Sequence, residues 1–574
     1  MALTKATQNV LEGIVSTGST GVSAGSFQVG QQYKITSLGT TTQLQWNTIA
    51  GTTGQTYVVG SLFTAATTGA SSGTGAAAVA RTLANRFADV VNVRDFGAVG
   101  DGIADDTAAI QAAINAAQAG VVSLYLPAGR YRLASPLTIT TSVNMRGEGA
   151  EFNYVTTTYR GTWFHFDHAG VGISVTTTGH DGVTLQSFGT LRNQPAPTLG
   201  WAPNSNDWDI LINGTDVNLN NLMLLNPTKA IQLAGIGRLN INHLRGQPLQ
   251  KGIEIVQAYD VCQINNIHFW PFWKDDNNIH TYTMANLIAL NLFRCDNPKV
   301  INFFSIFAKH GIRLGSNIHG FTSRALFVNA GIDQSGQSGI YVDGNFSSAQ
   351  FCNSYTLGYA AINKHGIECP AWSCLLDLTN IRITNSLENA VRVTGSNTTI
   401  TLAQVRVELW NLSNAGHVAF SAPAAGSSLI LLTERPQLIG GNGAGAVSSP
   451  VEVRSDTWVS YTPTITSTIG TITSYTASGT YKIVGTTVYF RTAITITNAG
   501  TGAGVVQATT PTPAAVVIPE VFSIYGRETL INGQALAGEV QWAAGNSRID
   551  IVKYNATTAI ATGAVLQVAG FYNI

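Results

Sequence analysis

The stretch VNVRDFGAVGDGIADDTAAIQAAINAAQAGVVSLYLPAG, residues 91–129, sets three elements in close order. A short apolar strand over 91–93 leads into a turn over 95–102, whose three glycines suit positive φ or close backbone approach. A helix follows. Asp105 or Asp106 is placed to cap it, and Asp106 suits the positive end of its dipole. Ile110, Ala113, Ile114 and Ala117 share one face, and Gly120 is placed to end the helix. The next run alternates, with Val122, Leu124 and Leu126 on one side and Ser123 and Tyr125 on the other, before Pro127-Ala128-Gly129 turns the chain. An amphipathic helix here covers the open end of a β-structure whose edge would otherwise be exposed. Asp95, Asp101, Asp105 and Asp106 are read as turn and cap residues, because such aspartates hold backbone amides.

From about 95 to 450 a degenerate repeat extends this start. Apolar doublets recur in Ala230-Ile231-Gln232-Leu233, Gly252-Ile253-Glu254-Ile255, Gly311-Ile312-Arg313-Leu314, Gly339-Ile340-Tyr341-Val342, Gly366-Ile367-Glu368-Cys369, Ala390-Val391-Arg392-Val393 and His417-Val418-Ala419-Phe420, usually behind a Gly or Ala. Ile312, Ile340, Ile367, Val391 and Val418 lie 24 to 28 positions apart. That period fits one coil of a β-helix with about three short strands, stacked at roughly 4.8 Å. A β-sandwich does not account for it. A second register, Asn221-Leu222, Asn242-His243 and Asn266-Ile267, puts asparagines at turns, where amides ladder between coils.

The combination of DFGAVGDG, DDTAAIQ and LPAG in this order resembles the start of pectate-lyase-like right-handed β-helices, most closely those of bacteriophage tailspike depolymerases. The likeness covers about residues 91–150. It implies a homotrimeric virion protein, on the phage tail, that binds and cleaves a bacterial capsular polysaccharide. The sequence shows no pectate-lyase calcium cluster of aspartates, and no cofactor or metal is expected. Both glycoside hydrolases and lyases use this fold, and a non-catalytic adhesin is the alternative from another class. Hydrolysis is the first expectation.

The repeat also orders the candidate chemistry. Within each doublet the middle residue points outward, so the outward column is expected to read Gln232, Glu254, Ala289, Arg313, Tyr341, Glu368, Arg392, Ala419. Asp343 lies two residues past Tyr341, and Glu368 one coil on, which puts their backbones roughly 8 Å apart, inside the range of about 6.5–9.5 Å used by inverting glycosidases. Glu368 and Asp343 are therefore the first acid–base candidates, with Glu254 in reserve. Tyr341, Arg313 and Arg392 are placed to bind sugar hydroxyls or a uronate, and for a β-elimination they replace the carboxylate pair. A charge ladder that satisfies itself is the competing reading of Arg313, Glu368 and Arg392.

One coil carries an insertion, Phe269-Trp270-Pro271-Phe272-Trp273-Lys274-Asp275-Asp276-Asn277-Asn278-Ile279-His280-Thr281-Tyr282, read as a loop from its Pro and Asn. Asp275 or Asp276 is a rival catalytic carboxylate. Trp270, Trp273, Tyr282 and His280 are candidates to hold sugar, or else the aromatics plug against the next coil. His243 and His268 are expected at comparable positions of adjacent coils, too few to make a metal site. His310 and His319 are candidate bases, Asp207, Trp208 and Asp209 candidate groove residues, and Arg382 and Arg406 align between coils with Glu408 and Trp410 beyond.

Composition limits the alternatives. Charged residues make up 11% of the 574 residues and formal net charge is zero, which gives no electrostatic case for nucleic acid. No run of eighteen apolar residues suggests a membrane span, and no secretion signal is seen at Met1-Ala2-Leu3-Thr4-Lys5, so release by lysis is expected. The five cysteines are read as small buried hydrophobes. Residues 1–80 read as a small β module that attaches to a phage tail or adaptor protein, with a short helix over 5–15 and strands that include TQLQWNTIAG. Residues 81–94 form a neck, 95–450 the β-helix, 440–449 a linker, and 455–574 an antiparallel β-sandwich for trimerisation or carbohydrate binding. The fold class is thus all-β.

Overall fold

The structure, a computed structural model, describes residues 14–15, 21–79, 88–179, 181–235, 238–422, 428–433, 436–442, 452–453, 458–484, 487–511, 523–531, 533–543 and 546–573. The expected neck and linker lie largely outside these residues, as does the helix expected over 5–15, of which Ile14–Val15 is a strand.

The first unit is a five-stranded antiparallel sheet around Phe27, Tyr33, Trp46, Tyr57 and Phe63. The run read as a strand, TQLQWNTIAG, is instead a helix, Gln43–Ala50. Its cause is a capping box: Thr42 Oγ1 accepts from Gln45 N–H at 3.3 Å and Gln45 Oε1 accepts from Thr42 N–H at 2.8 Å. The helix brings Trp46 into the core.

The second unit is a right-handed parallel β-helix. It opens with Val90–Asn92, a 3-10 turn Val93–Phe96 and the helix Thr107–Gly120, which buries Ile110, Ala113, Ile114 and Ala117 over the first coils. Three of the four aspartates hold backbone amides here. Asp101 Oδ1 accepts from Ile103 N–H and Ala104 N–H, Asp105 accepts from Thr107 and Ala134, and Asp106 accepts from Val99 N–H and Gly100 N–H. These three bind backbone as expected, but Asp106 clamps the glycine turn and makes no cap bond to its helix. Gly97, Gly100 and Gly102 all have positive φ. The left-handed residue that ends the helix is Val121 at φ 52°, one position past Gly120.

Beyond this start, eleven parallel strands from Leu137–Ile139 to Phe420–Ser421 form one sheet, and a larger sheet wraps the remaining faces. One apolar core runs through the coils from Val93 to Leu432. A left-handed residue recurs at one bend of successive coils: Asn221, His243, Asn266, Asn302, Asn329, Asn353, Asn380 and Gln404 all have φ between 50° and 56°. Asparagine tolerates this conformation, and the amides ladder, with Asn266 donating to Asn242 (2.9 Å), Asn302 to Asn266 (3.0 Å), Asn329 to Asn302 (3.0 Å) and Asn380 to Asn353 (2.8 Å). His243 takes the asparagine's place in its coil, opposite Asn266, whereas His268 lies opposite Arg245. The two histidines are therefore not at comparable positions. The glycine before the doublet also has a cause. A Cβ on Gly366 would lie 2.2 Å from Ile383 Cγ2, and one on Gly311 2.4 Å from Ile332 Cγ2.

The last unit is a nine-stranded antiparallel sheet, Val459–Tyr461 to Val565–Asn573, folded over a core that includes Phe490, Ile494, Ile549, Leu566 and Tyr572. Of the cysteines, Cys262, Cys295, Cys369 and Cys374 are buried and Cys352 partly so, all as free thiols.

Candidate active site on the outer face of the eleven-stranded sheet

The strand register fixes the outward column. It reads Gln232, Glu254, Asn291, Arg313, Tyr341, Glu368, Arg392 and Ser421. Two expected members are corrected. Ala289 is replaced by Asn291, because the insertion before this strand lets it start two residues later, with Leu290 as the inward partner of Ile312. Ala419 is replaced by Ser421, because Phe420 rather than Val418 pairs with Val391.

Glu254 belongs to a closed ladder. It accepts from Gln232 Nε2 and Asn291 Nδ2, each at 2.7 Å, and Lys251 Nζ stands 3.6 Å away. Its side chain is only 9% exposed, so both oxygens already have partners and little of the group meets solvent. Asp343 faces back one coil to Arg313, which holds both its oxygens at 2.7–3.2 Å. The Arg313 guanidinium also lies over the Phe293 ring, 5.3 Å from its centroid. Asp343 is thus fixed as the arginine's counter-ion rather than turned toward Glu368. Tyr341 stacks on the buried His310, with centroids 4.3 Å apart and planes 13° apart. Burial, and then the carboxylates of Asp343 and Glu368, raise the Tyr341 phenol above its usual value, so it stays protonated and serves as a donor.

Glu368 instead gathers a different set. Ser338 Oγ donates to Oε2 at 2.9 Å. Oε1 lies 3.8 Å from both His365 Nε2 and Arg392 Nη1. Those same two nitrogens lie 3.6 Å and 3.9 Å from Glu388 Oε2. Glu388 comes from the turn before the Val391–Val393 strand, outside the repeating column. The Glu368 and Glu388 oxygens can be no further apart than the 3.8 Å and 3.6 Å arms from His365 laid end to end. That limit admits the roughly 5–5.5 Å of a retaining pair and the short end of the about 6.5–9.5 Å of an inverting one. Beside them Glu388, Asn389, Arg392, His417 and Ser421 line an open groove of about 300 Å³. Three residues past Asp343 and four past Glu368, Phe346 and Trp372 meet edge to face at 4.3 Å. Both are exposed, at 46% and 42%, which offers a sugar an aromatic face next to the column.

His365 and His310 are neutral over the working pH range. Burial drives each down to about 3, helped by Arg392 at His365 and by Lys309 at His310. The carboxylates near His365 favour the charged ring, but burial and the guanidinium outweigh them. Unfolded imidazole binds its proton near pH 6.5. Between about 6.5 and 3 the unfolded chain therefore binds more protons, so stability is fully present above pH 6.5 and is lost as pH falls. The melting temperature of the β-helix is expected to drop on acidification through pH 6 to 4, and His365→Gln to flatten that drop. An acid limb unchanged by H365Q contradicts this.

The insertion is mostly structural. Its second half is a helix, Asn277–Asn286, not a loop, because Asp276 accepts from Asn278 N–H at 2.8 Å and caps it. Asp275 is exposed, 3.2 Å from His280 Nε2, and His280 is itself buried and stacked on Phe307 at 3.9 Å. Trp273 and Tyr282 pack around Trp201, and Tyr282 Oη accepts from Gln250. Trp270 alone of these aromatics presents a large exposed face. The weaker candidates separate likewise. His319 is exposed in the hairpin Ser316–Asn317 with Gly320–Phe321. Asp209 is wholly buried against Arg192 and lines no groove, whereas Asp207 reaches Lys229 at 3.5 Å. Arg382 and Arg406 are in register, and both bind Glu408.

Two residues of interest carry no signal in the repeat. Glu388 is one. The other is Asp333, on the larger sheet, whose carboxyl is raised by burial and whose Oδ1 has no hydrogen-bond partner among the described residues.

Comparison with known proteins agrees with the opening coils. Residues 90–183 match the family model for rhamnogalacturonase A/epimerase, pectate lyase-like. This match ends before every candidate site residue. Mannuronan C5-epimerase AlgE1 of Azotobacter vinelandii is 54% identical over 66 residues, 10% of this chain and 5% of that protein. The chain thus spans only about a twentieth of that relative's length. Among solved structures, the Dettilon tailspike protein aligns over 86% of this chain and 96% of its own, at 13% identity and a TM-score of 0.40. A GH87 α-1,3-glucanase from Streptomyces thermodiastaticus aligns over 70% of this chain and 76% of its own, at 16% identity and a TM-score of 0.38.

Proposed function

We propose that the outer face of the eleven-stranded sheet binds an extended polysaccharide and hydrolyses it within the chain, with Glu368 and Glu388 sharing the acid and base roles. The observation that carries this is the meeting of the two carboxylates on Arg392 and neutral His365 at the edge of an open groove. One carboxyl protonates the leaving glycosidic oxygen and the other draws a proton from water. Arg392 holds both side chains in place and keeps two negative groups tolerable side by side. Tyr341 and Arg313 present donors one and two coils away, where neighbouring sugars lie. Incubation with bacterial capsular polysaccharides, followed by reducing-end and chain-length analysis, tests this.

A second reading, β-elimination at a uronic acid, is favoured by one observation: the His310–Tyr341 stack beside Arg313. There Arg313 neutralises the uronate, the Glu368 carboxylate one coil on from Tyr341 takes the C5 proton as the C4–O bond breaks, and the protonated phenol gives its proton to the leaving oxygen. An unsaturated uronate in the products distinguishes this reading.

The Phe346–Trp372 pair supplies the stacking face. Trp372→Ala is expected to raise KM by about two- to tenfold with a smaller change in kcat, taking stacking on the ring to contribute about 0.5–1.5 kcal/mol, as between aromatic pairs. An unchanged KM contradicts the assignment.

On this reading the chain is a phage tailspike, a homotrimer on the virion tail that acts on the capsule of its host. The N-terminal module attaches it to a tail or adaptor protein, and the C-terminal β unit serves trimerisation or carbohydrate binding. A molar mass of three chains in solution and loss of virion incorporation on removal of residues 1–80 are the corresponding tests. An adhesin of the same fold would bind capsule and leave its length unchanged.

A further inference from the structure

One strand pair departs from the coil. Ala150–Asn153 and Thr158–Phe166 form an antiparallel hairpin that leaves the parallel sheet before Trp163 rejoins it. Asn153 Oδ1 accepts from Val155 N–H and Thr156 N–H and sets the tip. Ring contacts fix the hairpin's base: Phe152 meets Tyr159 at 5.0 Å and Tyr159 meets the buried Trp163 at 5.3 Å. Between hairpin and coil lies a cavity of about 480 Å³.

Its lining has two kinds of surface. Met223, Phe152 and Phe272 make an apolar floor. Arg160, from the hairpin, and Arg245, from the coil, supply two guanidiniums. Arg245 donates to Ala150 O at 3.4 Å, which ties the coil to the base of the hairpin. Among the described residues neither arginine has a carboxylate within ion-pair distance. Glu151 stands opposite Arg160 in the hairpin register and is also part of the lining. Two cations against one anion leave this cavity positive in a chain whose formal net charge is zero.

We propose that this cavity is a binding site for a carboxylate-bearing sugar of an acidic polysaccharide. Guanidinium pairs with carboxylate through two parallel hydrogen bonds, and aromatic rings take the apolar face of a pyranose. The volume falls in the range of about 300–1,000 Å³ typical of small-ligand sites. The site is separate from Glu368. Arg245 lies in the coil of Glu254, and four coils, about 19 Å along the axis, separate that coil from Glu368. Binding here holds a long acidic chain at a second point while another part of it occupies the outer face, and it is read by affinity alone, whether or not the chain is cleaved.

The test is calorimetric titration of the full chain carrying E368Q, so that cleavage does not interfere. The probes are hexamers of mannuronate, galacturonate and a glucuronate-containing polymer, each beside its carboxyl-reduced form. At least one acidic hexamer is expected to bind, carboxyl reduction to weaken it tenfold or more, and R160M and R245M each to weaken it about tenfold with the near-ultraviolet circular dichroism retained. Arg160 is exposed, so R160M tests recognition even if R245M perturbs the hairpin. Equal affinity for reduced and acidic forms, unchanged affinity in R160M, or no binding of any acidic hexamer overturns the proposal.

Discussion

Glu368→Gln is expected to lower the rate of polysaccharide shortening by about 10²–10⁴-fold, the span that a positioned acid or base contributes, while affinity for the polymer changes by less than threefold. Glutamine keeps the size of the side chain and its contact with Ser338, and removes only the ionisable group. Glu388→Gln is expected to act over the same range, because the two carboxylates share Arg392 and His365. Asp343→Asn serves as the discriminating control. Asp343 binds Arg313, so its loss frees the guanidinium and shifts KM more than kcat. Initial rates of reducing-end release for the three variants decide between these roles. Full activity in E388Q together with loss in D343N would restore the Glu368–Asp343 pair and remove Glu388.

Asp209→Ala is expected to destabilise the β-helix by about 3–5 kcal/mol, the cost of leaving one partner of a buried ion pair without the other. The Arg192 and Asp209 side chains are both 0% exposed and meet at 2.7 Å. The remaining Arg192 donors go to the carbonyls of His168, Gly170, Asp207 and Trp208, and Thr190 Oγ1 donates to Asp209 at 2.5 Å. The ion pair thus pins four backbone carbonyls at the point where the chain crosses from one sheet to the other. Replacing both residues, R192M/D209A, removes the uncompensated charge and should recover part of the loss. Urea midpoints followed by tryptophan fluorescence measure this, and a D209A midpoint equal to that of the parent contradicts it.

The coil was legible because its marks are local. An inward doublet behind Gly or Ala recurs where a Cβ would strike the neighbouring sheet, and asparagine recurs where the backbone must turn left-handed. Register was less legible wherever a coil changed length. The insertion helix Asn277–Asn286 moved the outward residue from Ala289 to Asn291, and a longer final coil moved it from Ala419 to Ser421. Periodicity counts residues, whereas pairing follows space. The same difference limits the site. The column placed Glu254, Arg313, Tyr341, Glu368 and Arg392 on one face, but long side chains choose partners across coils. Arg313 took Asp343, Asn291 took Glu254, and a glutamate from a turn joined Glu368. No spacing rule reaches Glu388. The aromatic insertion misled for another reason: Asp276 reads equally as a catalytic acid or a helix cap until the position of the Asn278 amide is known.

The measurement that tests the central claim most directly is product analysis with the full chain and a panel of purified capsular polysaccharides. Each digest is read for new reducing ends and for the ultraviolet absorbance of an unsaturated uronate. Hydrolysis at Glu368 and Glu388 predicts new reducing ends without that absorbance, in the parent and not in E368Q. Reducing ends accompanied by the absorbance, or polysaccharide that is bound but never shortened, would contradict it.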